Sequence, residues 1–210
     1  RHYSPFCQSP LMEILNKILY WIATGLMLPV IVVLIFLFLK ALASLGAFYG
    51  DYISRLKDQK KLHPFFNEAV EKDLGTKAIP TGKGLLFSYL QQLFTFRYSP
   101  VNREKILTDF ELEMNRKLGS TKSMSRLGPV LGLMGTLIPM GPALVGLASG
   151  NIASMAENMQ VAFSTTVVGL IVGAIGYSLT EVRQRWYAKD LSQLMYISDL
   201  ITEENETKKK

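Results

Sequence analysis

The sequence predicts an all-α membrane protein with three transmembrane helices and long helical cytoplasmic extensions. Three observations lead there. Hydrophobic residues make up 49% of the 210, and mean hydropathy is +0.19, high for a chain that must stay dissolved. Charge is segregated: no Asp, Glu, Lys or Arg occurs at 18–39, 127–156 or 158–180, while 51–126 and the tail after Glu181 hold most of the charges. Each uncharged run reaches the ~20 helical residues that cross a hydrocarbon layer of ~30 Å. A single water-soluble core is thereby excluded. The run IVVLIFLFL, residues 31–39, is apolar on every side of a helix, and the polar chain is too short to wrap three such helices.

Residues 1–10 form a first, external segment carrying Pro5, Pro10 and the only cysteine, Cys7. A single thiol makes no intrachain disulfide and lacks a second thiol for a metal site, so it is read as an ordinary thiol. Residues 11–50 hold the first transmembrane helix, with Tyr20 and Trp21 as interfacial anchors and a kink expected at Pro29. The run is too long and too deep for a cleavable signal peptide, which makes it a retained helix. Its bulky aliphatics suit a lipid-facing surface.

Residues 51–125 read as a cytoplasmic helical region, broken by turns at Gly75, Pro80, Gly82 and Gly84. Ser99 followed by Pro100 reads as the N-cap and first turn of the next helix. There Leu107, Phe110, Met114 and Leu118 recur at three- and four-residue steps, an apolar stripe for packing against other cytoplasmic helices. Only Gly119 could interrupt this helix between Val101 and Gly128, so it should run into the second span with little break. Arg103, Lys105, Arg116 and Lys117 are interleaved with Glu104, Asp109, Glu111 and Glu113, so the local charge cancels and no nucleic-acid surface results. The net charge of +6 follows from lysines and arginines retained on the cytoplasmic side.

Residues 126–180 contain the second and third spans, and 181–210 a cytoplasmic C-terminal helix and tail. The loop between spans one and two is rich in Lys and Arg, and the short link around 149–157 has none. The positive-inside rule therefore puts that loop and the C-terminus in the cytoplasm, and the N-terminus and the link outside. Enzyme signatures are missing: the sequence has no phosphate-binding loop and no metal-ligand cluster, and His2 and His63 are isolated. No cofactor is expected.

Spans two and three are built from small residues. Gly128 with Gly132, and Gly169 with Gly173, are spaced four apart, which lets helix backbones approach closely; Gly135 continues the first series. Thr136 lies one turn beyond Gly132, and Thr166 one turn beyond Ala162, so each brings a hydroxyl to a small-residue face. A lone membrane threonine most simply bonds its own helix carbonyl. Two matched threonines in close-packed helices would instead line a narrow ion path or meet a protonatable group from a neighbour. Thr165, about 100° round the helix from Thr166, would reach a neighbouring interface. None of the charge-free runs carries a titratable carboxylate, and Glu157 stands at the outer lip. Proton transfer at depth normally uses such a group, so either a partner supplies it or the protein moves no protons.

The residues PVLGLMGTL, from Pro129 to Leu137, resemble the P-x-L-G-L-x-G-T pattern of the MotA/TolQ/ExbB family of ion channel and motor stator subunits. AFSTTVVGL, from Ala162 to Leu170, resembles that family's T-x-x-G-L pattern. The likeness covers about 126–177. It implies a pentameric ring, a homopentamer around a dimer of single-span ExbD/TolR/MotB-like partners, each with an aspartate, in contact with membrane lipid. Thr136 and Thr166 would hold the pore-facing positions, and ion-motive force would drive rotation of one component against the other. Protons are the expected ion, with sodium as the alternative because Ser164, Thr165 and Thr166 cluster hydroxyls. Where TolQ and ExbB carry a glutamate and a late proline in the third helix, this chain has Val161 and Ile175, which separates it from close members of those branches. The competing reading is a non-conducting pentameric scaffold that anchors a larger complex.

Overall fold

A computed structural model describes residues 10–69 and 84–207, and every described element is a helix. In order these are α1 (Pro10–Ala69), α2 (Leu85–Thr95), α3 (Pro100–Ala148) and α4 (Ile152–Thr207). Three of them, α1, α3 and α4, contain segments long and apolar enough to cross a membrane. Helix α1 stays helical through Pro29 and beyond residue 50, to Ala69. Gly84 sits just ahead of α2 with extended backbone, as a turn residue should. The expected turns at Gly75, Pro80 and Gly82, the readings of His2 and Cys7, and the last three lysines lie outside the described residues.

Helix α3 starts at Pro100, where a proline loses nothing by having no N–H, and Arg103 N–H bonds back to the Ser99 carbonyl at 3.2 Å. It then runs unbroken for 49 residues, through Gly119 and through Pro129, Pro139 and Pro142. The expectation of a continuous helix from the cytoplasmic stretch into span two is met.

The chain divides into two compact units. One comprises α1 as far as Leu42 and Ser123–Gly176, the spans proper. Within it, Leu37 and Ala41 of α1 meet Met124 of α3 and Val172 of α4 in a small buried cluster. Span one therefore does more than face lipid. Val30, Leu34, Leu37 and Ala41, at four- and three-residue steps, form a buried inner stripe, while Val32, Val33, Ile35, Phe36 and Leu39 stay exposed.

The other unit comprises Ala43–Lys122 and the chain from Tyr177 onward. Its core joins Leu86, Phe87, Leu90 and Leu93 of α2, Ile106, Phe110 and Met114 of α3, and Leu194, Ile197 and Ile201 of α4. Phe110 is fully buried and receives Tyr89 edge-on at 5.0 Å. Each such side chain withdrawn from water contributes about 1.5–3 kcal/mol before the entropy of ordering is subtracted. Polar ties also fasten α4 here. Asp190, buried, takes a two-pronged ion pair from Arg55. Arg97 pairs with Glu204 at 2.9 Å. Arg103, grouped by sequence with surface charges, is 3% exposed and bridges to the Ser198 carbonyl at 2.7 Å and the Thr202 hydroxyl at 2.9 Å. Burial lowers the pKa of Arg103 and raises that of Asp190, and in the latter the Arg55 hydrogen bonds and charge oppose the shift. Trp186 stacks on Phe48 at 5.1 Å and lies under the Arg55 guanidinium at 5.0 Å.

Candidate ion pathway

The chain reverses at Ser149–Gly150–Asn151 to bring α4 back along α3. Gly150 adopts a left-handed backbone (φ 74°), which ends α3 by letting the Asn151 N–H reach the Gly146 carbonyl at 2.8 Å. Asn151 in turn caps α4, its Oδ1 accepting from the Ser154 N–H at 3.0 Å. The turn is short, so the two helices leave it as neighbours.

Below the turn they meet along a seam of small residues. On α3 the buried positions are Gly128, Gly132, Gly135, Pro139, Ala143 and Gly146, a repeat of three- and four-residue steps. On α4 the matching series is Ala162, Thr165, Gly169, Val172, Gly173 and Gly176. The contacts are backbone to backbone. A Cβ on Gly169 would stand 2.6 Å from the Gly128 carbonyl oxygen and 2.7 Å from the Gly132 Cα, and one on Gly128 would stand 2.7 Å from the Gly173 nitrogen. Gly173 also leaves room for the Pro129 ring, whose Cγ would lie 2.6 Å from an added Cβ. That is how α3 carries a proline in a close-packed stretch.

Gly128, Gly132, Gly135, Gly169 and Gly173 are thus all brought into one seam. The threonines are distributed differently from the sequence expectation. Thr165 is the one inside: it is 6% exposed, and its side chain fills the space opposite Gly135. Thr136 and Thr166 are half-buried and lie one residue off the two ladders. The signal for Thr165 was present, since it sits four residues before Gly169 in the same repeat, whereas Thr166 sits three before. Gly176, whose added Cβ would meet the Ser125 nitrogen at 2.5 Å, extends the seam beyond the predicted pairs.

Each threonine hydroxyl donates to its own helix. Thr136 reaches the Leu133 carbonyl at 2.7 Å, Thr166 the Ala162 carbonyl at 3.0 Å, and Thr165 the Val161 and Ala162 carbonyls at 3.0 and 2.9 Å. That spends the proton and leaves the oxygen lone pairs as acceptors, the polarity that a cation or a protonated group would meet. Beside this seam, still within the span unit, a groove of about 530 Å³ opens between α1 and α4. Ile31, Leu34 and Ile35 form one wall of it, and Glu157, Gln160, Ser164 and Thr165 supply the polar side.

Residues 101–195 match the family model described as the MotA/TolQ/ExbB proton channel family. The match takes in nearly all of α3 and most of α4, including the whole seam. No curated protein and no solved structure matches the chain.

Proposed function

We propose, on the premise of the match between residues 101–195 and the MotA/TolQ/ExbB proton channel family, that the chain is the channel subunit of a 5:2 ion-driven motor in the cytoplasmic membrane. Members of this family are membrane channel subunits, not enzymes. Five copies surround a dimer of single-span partners, each bearing an aspartate. The ion is the proton, with sodium as the alternative. The N-terminus and the Gly150 turn face outward, and the cytoplasmic unit and C-terminus face inward, in line with the distribution of Lys and Arg.

The observation that carries this reading is a pair of charge-free spans sharing a glycine seam, with threonine oxygens at its edge and no carboxylate of their own. Because Thr136 and Thr166 are not consumed by the seam, they are left for a face presented to another molecule. A partner aspartate that is charged would be held against such oxygens. Once neutralised by an ion it could move to the next apolar position. One elementary charge crossing 100 mV releases about 2.3 kcal/mol, comparable with rearranging a few helix contacts. Five subunits against two carboxylates keep one site out of register at any moment.

The test is substitution at the two edge threonines. Thr136→Val and Thr166→Val preserve shape and should leave assembly intact while abolishing partner-dependent ion flux in reconstituted vesicles. Full flux in both variants overturns the pore assignment and favours the scaffold. Replacing sodium by potassium at a fixed proton gradient then identifies the ion: flux that persists supports protons, and flux that collapses assigns sodium.

A further inference from the structure

The groove between α1 and α4 is a chiefly apolar slot. Along α4 its lining runs Glu157, Gln160, Val161, Ser164, Thr165 and Val168, and α1 contributes Ile31, Leu34 and Ile35. From Glu157 to Val168 is about 16 Å of helix axis. Two of the four polar side chains spend their protons on their own helix: the Ser164 hydroxyl donates to the Gln160 carbonyl at 2.8 Å, and the Thr165 hydroxyl to the Val161 and Ala162 carbonyls. The strongest polar groups left to a ligand are the Glu157 carboxylate and the Gln160 amide, both exposed, and neighbours at an i, i+3 step. At about 530 Å³ the groove has the size of a small-molecule cleft, ~300–1,000 Å³, and the usual make-up of one, a mostly apolar wall with few polar groups.

Two features decide the occupant. Helices that pack in a membrane meet through small residues, as α3 and α4 do along their seam. This groove is lined instead by branched and long side chains, which leave a slot for a flexible chain and no bed for another backbone. Lipid tails are as apolar as leucine, so an acyl chain laid against Ile31, Leu34, Ile35, Val161 and Val168 replaces like with like. The second feature is charge. Glu157 has no basic neighbour among the lining residues, and a carboxylate beside apolar surface favours a cation that also donates hydrogen bonds. A primary ammonium is such a group. Gln160 supplies two N–H donors for the phosphate that a zwitterionic head group carries next to its ammonium. The separation of about 5–6 Å between Cβ atoms at that step suits the two-carbon link of ethanolamine.

We propose that the α1–α4 groove binds an ethanolamine phospholipid, with the ammonium on the Glu157 carboxylate, the phosphate on the Gln160 amide and one acyl chain along the apolar wall. The inference does not draw on the channel reading and goes beyond it, since it assigns a ligand to the face of α4 turned toward α1.

Native mass spectrometry of the full chain tests this, after reconstitution in vesicles of equimolar dioleoyl-phosphatidylethanolamine and dioleoyl-phosphatidylglycerol and extraction in mild detergent. Ile35→Trp fills the groove from a position that is 53% exposed, and Val33→Trp, 45% exposed on the same helix and outside the lining, is its control. The retained lipid that Ile35→Trp expels and Val33→Trp keeps is the groove's own. In the unmodified chain it should be ethanolamine lipid over glycerol lipid by about tenfold, the effect of one charge-assisted contact. Glu157→Gln should bring that ratio close to unity. If Ile35→Trp expels no lipid, the groove holds none and the proposal fails. If Ile35→Trp instead lowers the number of chains in the particle, the occupant is a second copy and the proposal fails equally. Expulsion of both lipids in equal amounts, or a preference that survives Glu157→Gln, overturns the ethanolamine assignment. Lipid retention is read without ion flux, so its failure is separable from failure of the channel reading.

Discussion

Gly169 is one of the residues at which α3 and α4 pack backbone to backbone, and the atoms nearest its missing Cβ are backbone atoms that cannot rotate away. Gly169→Ala must therefore push the helices apart, at a cost of about 1–3 kcal/mol. Gly141 lies on the same pair of spans with nothing within 4 Å of its missing Cβ. Gly141→Ala should cost nothing there and gain about 0.5–1 kcal/mol of helix preference. Thermal unfolding in detergent should thus show a lowered midpoint for the first variant and an equal or raised one for the second. Equal melting of both would mean that the seam is not close-packed. Thr165 makes a finer point: Thr165→Val keeps its volume opposite Gly135 and loses the bonds to the Val161 and Ala162 carbonyls, so the expected loss is only about 1 kcal/mol.

At the scale of elements, α4 is tied to α1 by a buried ion pair whose sign can be read. Burial lifts the Asp190 carboxyl above its ordinary range, against the pull of Arg55 and Lys189. A carboxyl raised in the fold binds its proton more tightly there than in the unfolded chain. It therefore opposes folding at neutral pH, and that penalty fades as pH falls through the raised pKa. Arg55→Ala removes the partner and leaves the carboxylate buried alone. The loss should be about 3 kcal/mol, the low end for such pairs because Arg55 is itself 26% exposed. Denaturation across the pH range should show this defect largest near neutrality and shrinking in acid; a defect independent of pH would mean that the carboxylate is solvated. The double change Arg55→Met with Asp190→Leu should be close to neutral, since it removes both charges together.

For the whole molecule, the span unit on its own leaves large apolar side chains uncovered on every helix. Val130, Leu133, Leu137 and Leu144 of α3 are 53–62% exposed, at steps that place them along one side of the helix. Lipid covers such a ridge, and so does a second copy. On the proposed ring, native mass spectrometry of the solubilised protein should give five copies of the 23.5 kDa chain. A stable monomer or dimer would sink the ring. Expression with a single-span, aspartate-bearing partner should add two copies of that partner to the same particle.

Sequence alone determined the helical class, the three spans, the Pro100 start and unbroken course of α3, and the glycines that would pack, because these depend on local composition and on period. Charge-free length is a property of the chain itself, and small residues spaced four apart share a helix face whatever stands opposite. Which residues meet across the seam was decided only in three dimensions. A one-residue offset rotates a side chain by about 100°, so Thr165 and Thr166, identical in type and adjacent in the chain, fall on different surfaces once a second helix fixes the register. The same holds for Arg103, whose neighbours are surface charges and whose buried partners, Ser198 and Thr202, lie almost a hundred residues away. It holds also for Glu157, an outer-lip residue by sequence that the packing of α1 beside α4 places in the lining of a groove.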